Sequence, residues 1–187
     1  ASIQHLEWSR KGGYPAAICT TGFSEDQIGQ IKSAAGDAAM LLTPNTSLGV
    51  NVLFHLTQEA TRLLGEAYDI EIVEMHHHNK KDAPSGTARR LAEVVAEARG
   101  LDYDRDVMHG RQGIVGERKP NEIGMHALRG GDVVGDHTVV LAGPCERIEL
   151  THRAHSREVF AQGALKAATW LSDKGPGFYS MKDVLGL

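Results

Sequence analysis

Three histidines and two lysines lie close together between a predicted strand and a predicted helix. His76, His77 and His78 are adjacent, and Lys80 and Lys81 follow after one intervening residue. Imidazoles in general titrate near neutral pH, so a histidine beside a cation and a bound anion can act as a general acid. We therefore interpret this segment as a candidate site for binding and protonating an anionic ligand.

The helix that follows these lysines begins at Ser85-Gly86-Thr87, directly after a proline. The first turn of a helix leaves backbone N–H groups unpaired, and the positive end of the helix dipole favours an anion there. Gly86 lets an anion come close to the backbone, so a carboxylate or a phosphate fits this turn, with the lysines as nearby cations. Alternatively, Ser85 is an ordinary N-cap and the lysines are a solvated basic pair.

Histidine is also a common zinc ligand, which allows a second interpretation of the cluster. A zinc site usually needs three or four converging ligands. The sequence has neither an HExxH helix nor paired cysteines, so we expect no metal. Zinc remains an alternative in which further histidines converge on the cluster, namely His126, His137, His152 and His155.

Two glutamates precede the histidines on the same predicted strand. Glu71 and Glu74 are three residues apart, which places them on opposite faces of a strand. That placement argues against the carboxylate pair of a glycoside hydrolase, in which both groups flank one bond. We expect the two carboxylates to balance the charge of the histidines and lysines.

Composition excludes several classes of protein. Apolar residues make up 41% of the chain and charged residues 24%, close to the averages of globular domains. The formal net charge of -4 argues against a nucleic-acid surface. No apolar run approaches the ~20 residues of a membrane span, and no signal segment opens the chain, so we expect a cytoplasmic protein. Cys19 and Cys145 are expected to be reduced and buried.

The first part of the chain has the pattern of half a nucleotide-binding sheet. A short apolar run at residues 14–19 predicts a strand, Ser24 and Gln27 form a capping-box pattern at the start of a helix, and residues 40–43 predict a second strand. In doubly wound sheets, ligands lie beyond the carboxyl ends of the strands. The turns at those ends are Cys19-Thr20-Thr21 and Thr43-Pro44-Asn45-Thr46.

The rest of the chain alternates helices and strands. An apolar stripe predicts a long helix from Ser47 to Gly65, strand alternation follows at residues 69–75, and a second helix covers residues 85–99. Residues 102–120 are expected to be mostly loop. Three further strands are predicted near residues 123–128, 133–141 and 147–154, before a last helix that ends at Gly175-Pro176. These strands predict an open mixed or antiparallel sheet.

The segment from Glu71 to Ala88 matches the signature E-[IV]-x-E-x-H-x-x-x-K-x-D-x-P-S-G-T-A at each of its specified positions. On these residues the chain resembles the 4-hydroxy-tetrahydrodipicolinate reductase family, also called dihydrodipicolinate reductases. The resemblance spans nearly the whole chain. It also includes Thr20-Thr21-Gly22-Phe23, Pro44-Asn45, Ser47-Leu48-Gly49-Val50-Asn51, Ile123-Gly124, Arg129-Gly130-Gly131-Asp132, Val134-Gly135, His137-Thr138, His152, Ser156-Arg157, Phe160 and residues 181–187.

The resemblance implies hydride transfer from NADPH or NADH to a cyclic dicarboxylate in lysine and diaminopimelate biosynthesis. It assigns His76 as the general acid and Lys80 as the second proton donor. His77 and the turn Ser85-Gly86-Thr87 correspond to substrate-binding positions. The two turns after the first strands, 19–21 and 43–46, correspond to the cofactor-binding positions. The family resemblance also implies a homotetramer.

Four features depart from the family pattern. Cys19 replaces a frequent glycine, Thr46 a frequent phenylalanine, and His78 a frequent arginine or tyrosine. The sequence also shows no Gly-x-x-Gly-x-x-Gly turn between a strand and a helix, the element that holds a pyrophosphate. We therefore expect a chain that lacks the N-terminal part of its nucleotide-binding domain.

The expected fold is α/β in two parts. Residues 1–47 and 157–187 form a remnant of a doubly wound dinucleotide-binding domain, and residues 48–156 form an α+β substrate-binding and oligomerisation domain with an open mixed sheet. Two functions then compete. The chain is either the catalytic part of an NAD(P)H-dependent reductase or a cofactor-free module that binds a dicarboxylate and assembles.

Overall fold

The computed structural model describes residues 2–187, which form two compact units. The first unit contains residues 2–51 and 158–187, and the second contains residues 52–157. The elements in chain order are α1 (Ser2–Gly12), β1 (Ala16–Ile18), α2 (Glu25–Ala34), β2 (Ala39–Leu42), α3 (Leu48–Leu64), a 3-10 turn (Gly65–Ala67), β3 (Asp69–His76), α4 (Gly86–Arg99), α5 (Tyr103–Asp106), β4 (Val107–His109), β5 (Ile123–Arg129), β6 (Gly135–Gly143), β7 (Glu146–Ala154), α6 (Glu158–Ser172), β8 (Gly177–Tyr179) and α7 (Met181–Leu185).

The first unit is a small parallel sheet with helices on both faces. Its strands are ordered β1-β2-β8, and both pairings are parallel. Alternation along β2 sends Met40 into a cluster with α1 and α2, whereas Leu41 packs with α6 and α7. A parallel sheet covered on both faces has the layer structure of doubly wound folds, which confirms the predicted fold class for this unit.

The start of α2 follows the predicted capping box. The Ser24 side chain accepts from the Gln27 backbone N–H, and the Gln27 side chain accepts from the Ser24 backbone N–H. Two backbone donors at the helix start are thereby satisfied. The cap thereby fixes the start of α2 directly after the turn that follows β1.

The second unit is built on a mixed sheet of five strands, ordered β4-β5-β3-β6-β7. Central strand β3 is parallel to β5 and antiparallel to β6. Alternate residues of β3 are buried, beginning with Ile70 and Ile72, and α4 packs on that face through Leu91 and Val95. The predicted open mixed sheet is therefore confirmed, with β7 and β4 as its edges.

Several predicted details were wrong. Residues 102–120 are mostly loop, as expected, but α5 and β4 at residues 103–109 were missed; the three residues of β4 pair with the edge of β5. Strand β8, which the sequence analysis missed, pairs with β2. Cys19 and Cys145 are free as expected but exposed, because both lie in turns at strand ends.

The apolar stripe predicted for α3 is only partly buried. Leu53 is buried, but Val52 and Leu56 are exposed and Leu63 is 84% exposed. The helix instead buries Thr57 among its inward positions. Among residues 2–187, no helix combines the length and apolarity that crossing a membrane requires.

Replacing Gly163 in α6 by alanine is expected to destabilise the first unit. A Cβ atom at Gly163 would lie 1.9 Å from the carbonyl oxygen of Thr46, a backbone atom that cannot rotate away. Overpacking of this kind costs about 1–3 kcal/mol. Urea unfolding followed by tryptophan fluorescence measures it, because both tryptophans, Trp8 and Trp170, lie in this unit.

The matched control is Gly29→Ala in α2. Gly29 is exposed, and a Cβ there meets no atom within 4 Å. Alanine should raise the free energy of unfolding by about 1 kcal/mol through helix propensity alone. A Gly163→Ala protein as stable as the wild type would contradict the close contact.

Candidate active site

The end of β3 carries a glutamate and a histidine on one buried face. Glu74 and His76 are two residues apart and share the face of Ile70 and Ile72, as alternation requires. Glu74 is 0% exposed and His76 is 9% exposed. The sequence analysis placed Glu71 and Glu74 on opposite faces, and the burial pattern of β3 confirms this.

The backbone beyond β3 is held by the turn between β5 and β6. The N–H of Gly130 donates to the His76 carbonyl at 2.9 Å, and the N–H of His77 donates to the Val133 carbonyl at 2.7 Å. The strand ends at His76, and His78 lies in an exposed turn. Side-chain alternation along β3 therefore stops at His76.

The Glu74 carboxylate is the centre of the hydrogen-bond network. It accepts from His76 Nδ1 at 2.6 Å, from Arg129 at 2.8 and 2.9 Å, and from the Ser85 backbone N–H at 3.0 Å. Burial alone raises the pKa of Glu74. The hydrogen bonds from His76, Arg129 and Ser85 together outweigh burial and lower the pKa to about 2. Glu74 is therefore an anion at neutral pH.

Ser85 joins the start of α4 to a second buried histidine. The Ser85 hydroxyl oxygen caps α4 by accepting from the Ala88 N–H, and it lies 3.0 Å from His137 Nε2. His137 is 4% exposed, and its ring lies edge-on to that of His76 at 5.2 Å between centroids. Burial and then repulsion from a charged His76 lower the pKa of His137 to about 3, so His137 is neutral.

Lys80 lies on the loop between the histidines and α4. Its ammonium group is 3.0 Å from the Asp82 carboxylate. Hydrogen bonding to Lys80 lowers the pKa of Asp82. Arg129 also donates to the Asp82 carbonyl at 2.7 Å, which fixes the loop from its other side. Lys80 is half-buried, whereas Lys81 is exposed.

Two positions at the site are occupied by glycine for different reasons. Gly86 is exposed at the first position of α4, and a Cβ there would meet no atom within 4 Å. The first N–H groups of a helix therefore have room for an anion here. At Gly135, by contrast, a Cβ would lie 3.0 Å from His76 Nε2. Only glycine leaves the Nε2 side of that ring free of a side chain from β6.

The described residues give no support for the zinc alternative. Between residues 2 and 187, no three side chains of histidine, cysteine, aspartate or glutamate form a group that could hold a metal ion. His137 and His152 are paired across β6 and β7, but each has a buried Nδ1 without a protein partner. Neither nitrogen is aligned with further ligands.

A second glutamate network lies on the opposite face of the same sheet. Glu71 accepts from Arg111, from Arg118 and from His126 Nε2, the last at 2.7 Å. Burial alone raises the pKa of Glu71, and these hydrogen bonds outweigh it and lower the pKa to about 2. The Glu71 carboxylate lies over Gly124, where a Cβ would be only 1.8 Å away. This network anchors the segment before β5.

The candidate cofactor turns lie together in the first unit. Both follow parallel strands at their carboxyl ends, and the Thr43 N–H donates to the Ile18 carbonyl at 3.0 Å. Residues 19–21 are exposed. In the second turn, the Thr43 hydroxyl donates to the Asn45 carbonyl and the Thr46 hydroxyl donates to the Phe160 carbonyl. Those two hydroxyls shape the second turn.

The structure brings some predicted site residues together and adds others. His76, Ser85 and the start of α4 are joined through Glu74 in the second unit, with Lys80 on the intervening loop. From the sequence, Arg129 had no assigned role and His137 was considered only as a possible zinc ligand. Each lies more than 40 residues from Ser85 in sequence, so only strand pairing could reveal the contacts.

Comparison with known proteins places the chain in a family. A profile described as dihydrodipicolinate reductase, C-terminus, matches residues 49–185. The 4-hydroxy-tetrahydrodipicolinate reductase of Anaeromyxobacter dehalogenans (strain 2CP-C) is 52% identical over 187 residues, covering all of this chain and 69% of the relative. The chain belongs to the dihydrodipicolinate reductase family.

Two further comparisons agree with that membership. The reductase of Akkermansia muciniphila is 54% identical over 173 residues, which are 92% of this chain and 70% of that relative. The dipicolinate-bound dihydrodipicolinate reductase from Paenisporosarcina sp. TG-14 has the same fold, with a TM-score of 0.73 at 24% identity over 96% of this chain and 67% of that one. The chain spans about 70% of the length of its curated dihydrodipicolinate reductase relatives.

The neutral His137 should make stability depend on pH. A histidine ordinarily titrates near 6.5, so below that pH the unfolded chain binds a proton that the folded ring takes up only near pH 3. Stability is therefore present above pH 6.5 and is lost as the pH falls, by up to about 1.4 kcal/mol per pH unit for one proton. His137→Asn should reduce that slope between pH 6.5 and 5.

Urea unfolding at a series of pH values measures these slopes. The control is His155→Asn, because His155 is exposed and should leave the slope unchanged. Glu74 does not interfere in this window, since its lowered pKa contributes only below about 4.5. Equal slopes for the wild type and His137→Asn would show that the buried ring takes up protons normally.

Proposed function

We propose that the chain provides the substrate-binding and proton-donating part of a reductase that converts 4-hydroxy-tetrahydrodipicolinate to tetrahydrodipicolinate with NADPH or NADH. Its family consists of NAD(P)H-dependent reductases of lysine and diaminopimelate biosynthesis. The observation that carries the proposal is the fixed His76 ring, held at Nδ1 by a buried carboxylate beside the open start of α4. A small dianion and a proton donor can meet there.

The residues of the second unit divide this task. His76 is the general acid, because its Nε2 lies on the side kept open by Gly135. Lys80 is the second proton donor and a counter-charge for a substrate carboxylate. His77 and the turn at residues 85–87 bind the carboxylates, since a helix start offers N–H donors and a favourable dipole.

The first unit is the proposed binding region for the nicotinamide cofactor, which supplies the hydride when bound. Exposed Thr20 and Thr21 and the turn at Pro44 and Asn45 lie at the carboxyl ends of adjacent parallel strands, the edge where doubly wound sheets bind nucleotides. Cys19, which is exposed, belongs to the first of these turns. Thr43 and Thr46 act indirectly by holding the turn in shape.

A cofactor-free dicarboxylate-binding and assembly module is the second candidate function. Its support is the placement of the glycine-rich segments. Residues 110–116 lie between β4 and β5, and residues 130–131 lie between β5 and β6. Neither joins a strand to a helix, so among residues 2–187 no turn of the pyrophosphate-binding type is present.

We further propose a cytoplasmic homotetramer that binds no nucleic acid. The exposed stripe Val52, Leu56 and Leu63 on α3 is an apolar surface of the kind that subunits bury, and strands β4 and β7 leave the two edges of the five-stranded sheet open for pairing. Multi-angle light scattering at micromolar concentration should give four times the mass of one chain. A monomer would contradict assembly through these surfaces.

A chimera tests the reductase proposal. The 187-residue chain is joined behind the N-terminal segment of the Anaeromyxobacter dehalogenans relative, the part that the match leaves uncovered. The chimera should oxidise NADPH in the presence of substrate. His76→Ala should lower its turnover by roughly 10²- to 10⁴-fold, the usual contribution of a general acid, whereas exposed His78→Ala should not.

The unfused chain separates the two candidate functions. It should bind pyridine-2,6-dicarboxylate weakly in calorimetry. It should bind NADPH no tighter than micromolar, because residues 2–187 contain no turn of the type that holds a cofactor pyrophosphate. Submicromolar NADPH affinity would exclude the cofactor-free module. A chimera that binds the dicarboxylate but never oxidises NADPH would favour that module.

Dicarboxylate binding should depend on Lys80. Lys80→Ala removes a charged partner worth about 1.5–3 kcal/mol, so the Kd should rise roughly 10- to 150-fold. Lys81→Ala is the control, because Lys81 is exposed in the same loop and has the same charge. Calorimetry with pyridine-2,6-dicarboxylate measures both variants. Equal affinities for the two would remove Lys80 from the binding site.

A further inference from the structure

Glu74 has no capacity left for a ligand. A carboxylate offers about four acceptor positions, and here four donors occupy them. One oxygen accepts from His76 Nδ1 and Arg129, and the other accepts from Arg129 and the Ser85 N–H. The side chain is fully buried, so it can neither rotate nor reach a substrate. Its effect on the site must pass through its partners.

The donors around Glu74 determine which nitrogen of His76 carries a proton in the neutral ring. A guanidinium group and a backbone N–H can only donate, so an ionised Glu74 accepts from both. His76 Nδ1 must then be the fourth donor, at 2.6 Å. The neutral ring is therefore held as the Nδ1–H tautomer, which leaves Nε2 to gain and lose the transferable proton on the Gly135 side.

Arg129 links this histidine to the rest of the site. Its guanidinium group forms two hydrogen bonds with Glu74 and a third with the Asp82 carbonyl. One partly buried ion pair thereby holds His76, the loop that carries Lys80 and, through the Ser85 N–H, the start of α4. Arg129 also neutralises Glu74, so the carboxylate orients the ring without the full attraction of an unpaired anion for its proton.

The other groups that face His76 do not fix its tautomer as Glu74 does. His137 on β6 contacts the ring edge-on and is neutral, and Gly135 on the same strand has no side chain. Lys80 and Asp82 belong to the following loop and pair with each other. Among the described residues, Glu74 is the hydrogen-bond partner that the structure gives to His76 Nδ1.

We propose that Glu74 and Arg129 form a positioning pair for the proton donor, His76. Glu74 fixes the tautomer and the orientation of the His76 ring. Arg129 weakens the attraction of Glu74 for the His76 proton and holds the Lys80 loop next to Glu74. This inference rests on the proposed role of His76 as the general acid. It adds two residues that act through His76 and the loop without contact with the substrate.

The decisive variant is Glu74→Gln, because it should reverse the tautomer of His76. The amide oxygen is expected on the side where both the Ser85 N–H and Arg129 donate. The amide NH₂ then faces His76 Nδ1, which must accept, so the neutral ring carries its proton on Nε2. A wrong tautomer in a serine protease triad lowers turnover by about 10⁴-fold, so here we expect a loss of kcat of roughly 10²- to 10⁴-fold with little change in KM.

The first measurement is nitrogen-15 NMR of the histidine rings in the 187-residue chain, with the His76 signals assigned by their absence in His76→Asn. The wild type should show Nδ1–H in the neutral ring, and Glu74→Gln should show Nε2–H. The control is Glu71→Gln, which alters a similar carboxylate bonded to arginines and a histidine on the other face of β3. It should leave the His76 tautomer unchanged.

The second measurement is the pH profile of kcat in the chimera. Activity needs protonated His76, so it falls as the pH rises. In Glu74→Gln the fall in kcat should move to lower pH. In Arg129→Gln the fall should move to higher pH. The KM of Arg129→Gln should also increase, because the Lys80 loop loses its hydrogen bond from Arg129. A merely structural pair would lower activity without moving either profile, and this outcome would overturn the inference.

The two measurements also separate this inference from the proposed function. An Nε2–H tautomer in the wild-type chain would overturn the positioning role even if the chimera is an active reductase. An inactive chimera with the expected tautomers would count against the reductase proposal while the effect of Glu74 on the ring stands. If Glu74→Gln fails to fold, the wild-type tautomer and the Arg129→Gln profile still decide the question.

Discussion

The site depends on one ion pair, between the buried Glu74 carboxylate and the half-buried Arg129. A carboxylate removed from water is stable only when its acceptor positions are filled, and here they are filled by groups from three different elements. Because each donor belongs to a different part of the site, the hydrogen bonds that satisfy the charge of Glu74 also fix the positions of those parts. The His76 ring, the loop with Lys80 and the start of α4 are thus positioned by the same requirement.

The two faces of β3 use similar chemistry for different purposes. Glu71 and Glu74 are both held as anions by arginines and a histidine. The Glu71 network, which includes His126, anchors the segment before β5 across Gly124. The Glu74 network instead faces the helix start, where a bound anion gains N–H donors. The two carboxylates therefore differ in what surrounds them more than in their own chemistry.

Short-range patterns predicted the positions of most elements. The capping box at Ser24, the alternation along β3 and the glycine after α4 each depend on a few neighbouring residues, so the sequence reveals them directly. Strands β4 and β8 were missed because three residues carry little periodicity and form only by pairing with an existing edge. The burial of the apolar stripe on α3 was predicted wrongly, because the spacing of apolar residues along a helix does not show which surface packs against them.

The sequence by itself determined the family, the mixed α/β fold and the cluster of histidines and lysines next to a helix start, since these depend on local spacing. It also indicated that Glu74 balances charge. Only the tertiary structure decided that Glu74 holds His76 at Nδ1, that Arg129 joins it to the Lys80 loop and that His137 is buried and neutral. Those contacts join residues far apart in the chain, and strand register, which is set by the packing of the whole sheet, determines which side chains meet.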